Sequence, residues 1–70
     1  MTSEEIQAEV SKLNEAQRAV LRKTVGQGAL ERLVVTQIGP YTQVNAKMYG
    51  HNHLVLIGPR GKVMNRSVFG

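Results

Sequence analysis

Seventy residues with nine Lys or Arg, five Glu and no Cys make one small basic domain of formal charge +4. A chain this short buries only ~60% of its unfolded surface, so its core is marginal, and without Cys neither a disulfide nor a thiolate zinc site can reinforce it. No stretch approaches the ~20 apolar residues of a membrane-spanning helix, which leaves oligomerisation or docking on a partner protein as the common route to added stability.

The N-terminal stretch "MTSEEIQAEV" is acidic and amphipathic, unlike a secretory signal, so the expectation is a cytoplasmic protein. Residues 1–25 have helical grammar. Ile6, Val10 and Leu13 recur at i, i+4 and i+7, and Ala16, Val20 and Leu21 extend the stripe. Thr2 followed by Glu5 fits a capping box, and Asn14 followed by Gln17 could form a second one that divides the stretch. Because the apolar stripe passes Asn14 without changing phase, the first expectation is one continuous helix from about Ser3 to Thr24. Glu residues crowd its first turn and Arg22 and Lys23 its last, as the helix dipole favours. Gly26 and Gly28 are expected to end it.

From residue 29 to 69 the grammar changes to β-branched residues, alternation and turn dipeptides. "ALERLVVTQI", "YTQVNAKMY", "HLVLI" and "KVMNRSVF" read as four strands. The fold class predicted is α+β, an N-terminal amphipathic helix packed on a four-stranded antiparallel meander, as a single domain of residues 1–70. Two copies of one turn join the outer strand pairs, in "IGPYTQV" and "IGPRGKV". In the second, Pro59 suits the first central position of a type I turn, and Gly61 the left-handed position that closes a bulged hairpin. The first lacks that following glycine, which predicts a looser loop. "GHN", Gly50 to Asn52, is expected to turn at the opposite end of the sheet. Strand three is apolar on both faces, which predicts a central strand or a contact with another chain.

A meander places the two Gly-Pro tips at the same end, so Tyr41, Arg60 and Lys62 are expected to share one surface. In strand two, Val44, Ala46 and Met48 should meet the helix while Lys47 and Tyr49 face water. Carrying the register through the repeat adds Lys62, Met64, Arg66 and Val68 to that open face. Strand four taken alone would instead bury Met64 and Val68, and a one-residue slip separates the two readings.

Charge is divided between the halves. Residues 1–24 hold four basic and four acidic side chains, while residues 25–70 hold five basic ones and Glu31 alone. A one-sided basic surface is the electrostatic footprint of a polyanion binder, although many small proteins of similar charge bind nothing. The expected contacts to nucleic acid or another polyanion are Lys47, Arg60, Lys62 and Arg66 for phosphate, with Tyr41 and Tyr49 for base stacking.

Other chemistry lacks its parts. His51-Asn52-His53 has no third or fourth ligand nearby, so it reads as a polar turn and no metal is expected. A single acid, Glu31, follows residue 15, and it reads as a partner for Arg32 or a neighbour at the start of a strand. No nucleophile, base and orienting acid can be assembled from these residues, so no enzyme, small-molecule substrate or cofactor is expected. "VGQGALERL" lacks the Lys-Ser/Thr of a phosphate loop. The reading is a non-enzymatic binding module acting through its β half. The alternative is a protein-interaction module: a subunit of a larger assembly, a homo-oligomer, or a small inhibitor or adaptor docking on one partner.

Overall fold

A computed structural model of the chain describes residues 1–24 and 30–70. The expected helix stop at Gly26 and Gly28 and the first residue of the expected first strand, Ala29, lie outside the described residues. Two helices, α1 (Ser3–Val10) and α2 (Glu15–Thr24), precede four strands: β1 (Leu30–Ile38), β2 (Tyr41–Met48), β3 (His51–Ile57) and β4 (Val63–Phe69). The strands form one antiparallel sheet in the order β1-β2-β3-β4. The class is therefore α+β with a meander sheet, as the change of period predicts. No helix among the described residues is long and apolar enough to cross a membrane.

The single long helix does not form. Thr2 starts α1 with a reciprocal capping box to Glu5, and a second box restarts the chain at Asn14. There the Gln17 N–H donates to Asn14 Oδ1 at 2.9 Å, and the Asn14 N–H donates to Gln17 Oε1 at 3.1 Å. Both boxes satisfy N–H groups that a helix start leaves without intrahelical partners. The break lets Leu13 leave the helical path and enter the core, where it is 3% exposed. Ala16, expected on the buried stripe, is exposed, and the polar Gln17 is buried in its place.

Leu13, Leu21, Leu33, Val35, Val44, Ala46, Met48, Val55 and Ile57 form the core, with Ile6, Val10, Val20 and Leu30 packed around it. The helices thus cover one face of β1 to β3. β2 alternates without interruption, with Thr42, Val44, Ala46 and Met48 buried and the residues between them half-exposed. All seven residues of β4 are exposed. β3 is internal, paired on both sides; Val55 and Ile57 turn into the core, while Leu54 and Leu56 are half-buried on the open face.

Two turns differ from expectation. Gly39-Pro40 is a tight two-residue connection with Gly39 at φ +60°, as a II′ hairpin turn requires of its first position. No looser loop is needed, because glycine stands at that first central position. The β2–β3 turn is Tyr49-Gly50, at φ 51° and 77°, the positive pair of a I′ turn. Tyr49 consequently leaves the strand, while His51 and Asn52 pair within β3 with Met48 and Lys47. The β3–β4 loop follows its expected form: the Gly61 N–H donates to the Gly58 carbonyl at 3.0 Å, and Gly61 adopts φ +85°.

Candidate functional site

The end of the sheet bearing both Gly-Pro tips is braced by the start of α2. Buried Gln17 donates from Nε2 to Thr42 Oγ1 at 3.0 Å and to the Gly58 carbonyl at 3.2 Å. The Thr42 hydroxyl in turn donates to Gln37 Oε1 at 3.2 Å. Asn14 Nδ2 donates to the Pro59 carbonyl at 2.8 Å. With Oε1 accepting from Asn14, the Gln17 amide uses both donors and its oxygen, which is the condition for burying such a group without large cost. Gly61 packs so closely on α2 that a Cβ there would lie 3.1 Å from the Ala16 carbonyl oxygen. The turn carrying Arg60 and Lys62 is thus held at both of its glycines.

Around this frame the six residues singled out from the sequence fall into three places. Tyr41 opens β2, half-buried, and Arg60 and Lys62 lie exposed in the β3–β4 loop, so these three share the tip end. Lys47 sits near the other end of β2, and Tyr49, 81% exposed, stands in the turn beyond it. Arg66 belongs to the reverse face. It pairs with Val55, which pairs with the core residue Val44, so all three project toward the helix side.

Of the two readings of strand four, the register carried through the repeat fails for Arg66 and Val68, which face the helix side as the strand taken alone suggests, and the cause is one residue. Ile57 pairs with Val63 but Leu56 with Asn65, so the register skips Met64. A bulge of this kind reverses the facing of every residue beyond it. Without it Arg66 would have stood opposite Leu54 on the open face.

The open face gains a residue in exchange. Arg32 is the direct cross-strand partner of Lys47. Asn52 and Phe69 continue that row, and Val34, Asn45, Leu54 and Ser67 form the next. No carboxylate side chain occurs in either row. Arg32 was discoverable: a two-residue turn at Gly39-Pro40 sets Ile38 against Tyr41, and counting back from it brings Arg32 to Lys47.

Glu31 is otherwise engaged, its Oε2 accepting the Gly50 N–H at 3.2 Å instead of pairing with Arg32. Among the described residues the ion pair within 4 Å is Lys12 with Glu9, so the five basic residues of the β half have no such partner there. Glu9 also accepts the Val35 N–H at 3.0 Å. The Lys12 side chain first, then the Val35 amide, hold its carboxyl below the ordinary value. No group of three or more His, Asp or Glu side chains suited to a metal ion occurs among the described residues. His51 is exposed, and His53 Nδ1 is buried without a hydrogen-bond partner.

No family model, curated protein or solved structure matches the chain. The functional reading accordingly rests on the placement of these side chains.

Proposed function

We propose that the protein is a non-enzymatic basic binding module that takes a polyanion, nucleic acid foremost, on the open face and tip end of its sheet. The observation that supports this most is Arg32 directly opposite Lys47 with no carboxylate in their row or the next. Like charges in direct cross-strand register are unfavourable on their own; a bound line of phosphates offsets that repulsion. Arg60 and Lys62 extend the positive surface at the tip end, where Tyr41 offers a ring for an unstacked base. Contact through phosphate positions the ligand and reads little sequence.

Fluorescence anisotropy with labelled single-stranded and duplex oligonucleotides tests the reading. Four phosphate contacts should cost roughly 50- to 150-fold in affinity between 50 and 200 mM salt. Charge reversal at Arg32 and Lys47, or at Arg60 and Lys62, should remove most binding, whereas reversal at Arg22 and Lys23 should matter little. Tyr41→Ala should weaken single-strand binding more than duplex binding, because only unpaired bases expose their faces. Equal losses from all three reversed pairs would mean diffuse attraction without a site. Absence of binding at low salt would exclude the module reading and favour a protein-interaction role.

A further inference from the structure

The two edges of the sheet are treated differently by the rest of the chain. On β1, the Val35 N–H donates to Glu9 Oε1 at 3.0 Å and the Leu33 N–H to Met1 Sδ at 3.4 Å. The N-terminal segment therefore occupies the donors that another strand would use. On β4 no other segment covers the edge among the described residues: the Arg66 N–H donates to its own neighbour, Asn65 Oδ1, at 2.9 Å, and all seven residues are exposed, including Val63, Met64, Val68 and Phe69 at 43 to 54%. Pro, Lys and acidic residues are absent from β4, whose edge protection is limited to the bulge at Met64 and the single charge of Arg66.

The ladder shows which β4 groups face outward. Leu33 and Val35 turn their N–H groups away from β2, so Val34 is the residue bonded to β2, opposite Asn45. Alternation then directs Val44 and Ala46 to β3, and Leu54 and Leu56 to β4. Ser67 and Asn65, opposite Leu54 and Leu56, bond inward. Arg66 and Val68 point their backbone groups outward, and of these the Arg66 N–H is held by the exposed Asn65 side chain.

We infer that β4 pairs with β4 of a second copy, antiparallel about a two-fold axis at Ser67, joining two four-stranded sheets into one. This is independent of the polyanion reading. In that register Arg66 bonds to Val68 of the second copy and Val68 to its Arg66, the Val68 carbonyl of the second copy replacing the Asn65 side chain as acceptor of the Arg66 N–H. Centring the axis on Arg66 would set two guanidinium groups directly opposite, an unfavourable arrangement; the Ser67 register staggers them. The contact is isologous, and the closed β1 edge stops the assembly at two copies instead of a growing fibre. Exposed Val68 and Phe69 gain a partner surface that a chain of this size otherwise lacks.

The register gives a chemical test, since the chain has no Cys. Ser67 faces its own copy as a non-hydrogen-bonded pair, with Cα atoms about 4.5 Å apart, inside the range a disulfide spans. Under mild oxidation Ser67→Cys should convert mostly to covalent dimer, whereas Asn65→Cys, opposite Phe69 of the other copy, should stay largely uncrosslinked. The unaltered chain should show a concentration-dependent dimer in sedimentation, and Val68→Lys should shift that transition to higher concentration. A unaltered chain that remains monomeric at every concentration would overturn the inference, as would equal crosslinking at both cysteines or a Val68→Lys dimer of unchanged affinity. A monomer that instead takes up an added extended peptide would assign the edge to a foreign strand.

Discussion

The Gln17 amide and the Thr42 hydroxyl, 25 residues apart in sequence, meet at 3.0 Å in a part of the core where both residues are nearly inaccessible. One polar side chain thereby joins the start of α2, the first residues of β2 and the loop after β3. Removing it leaves the Gly58 carbonyl and the Asn14 N–H short of a partner as well, and opens a cavity. Gln17→Ala should therefore lower stability by about 2–4 kcal/mol. Gln7→Ala, on the exposed side of α1, should stay within about 0.5 kcal/mol of the parent. Urea denaturation of both variants, compared by midpoint and slope, checks this.

Gly61 and Gly50 separate backbone freedom from space. Both have positive φ, but a Cβ at Gly50 meets nothing within 4 Å, while at Gly61 it meets the backbone of Ala16. Gly50→Ala should cost about 1–2 kcal/mol, the usual penalty of the left-handed region. Gly61→Ala should cost more, since Ala16 and its cap must also move. Equal melting temperatures for the two variants would contradict the close approach of α2 to the loop.

Tyr49 is the one non-glycine residue at positive φ among the described residues, and it is 81% exposed. A bulky side chain gains nothing from that conformation, and Asn-Gly is the pair a I′ turn prefers. Tyr49→Asn should raise stability by about 0.5–1 kcal/mol. If Tyr49 contacts the polyanion, the same variant should bind single strands more weakly. Thermal melts and anisotropy on one preparation read both effects.

Acid should loosen the β1 edge. Glu9 has a folded-state pKa below its ordinary 4.5, held there by Lys12 and then by the Val35 N–H. A lowered carboxyl contributes stability that is complete above the ordinary value and is lost as pH falls through the folded one. Exchange of the Val35 amide, corrected for its intrinsic rate, should speed up across that interval. In Glu9→Ala the protection should already be reduced at neutral pH and show no such step. A protection profile that is flat with pH in the parent would show that Glu9 does not guard the edge.

Much of the fold was legible because its signals are local. The Thr2–Glu5 box, the alternation of β2 and the Pro59–Gly61 turn each follow from backbone preferences within a few residues. The division of the helical half was misjudged because the apolar stripe continues through Asn14. What decides against continuity is tertiary: Leu13 is wanted in the core, and Asn14 and Gln17 find carbonyls of the β3–β4 loop. The two readings of strand four place Arg66 on opposite faces, and the sequence does not choose between them for a related reason. A bulge at Met64 leaves no clear mark in "KVMNRSVF", yet it moves Arg66 to the helix side. Arg32 becomes legible only once the first Gly-Pro turn is two residues long, because a looser loop leaves the register that sets it against Lys47 undefined.

The bond from Asn14 to the Pro59 carbonyl spans 45 positions of the chain. Each hairpin of the meander closes over a short loop and can form in microseconds. The brace on α2 has to wait until the third strand and its turn exist, and it carries a larger closure entropy. On that ground Gln17 and Asn14 are expected to act after the folding barrier more than before it. Weakening them would leave the refolding rate nearly unchanged and shorten the lifetime of the native state. On that expectation the polar latch of Asn14 and Gln17 bears on how fast the native state is lost more than on how fast it is reached, which stopped-flow refolding and unfolding of Gln17→Ala would read.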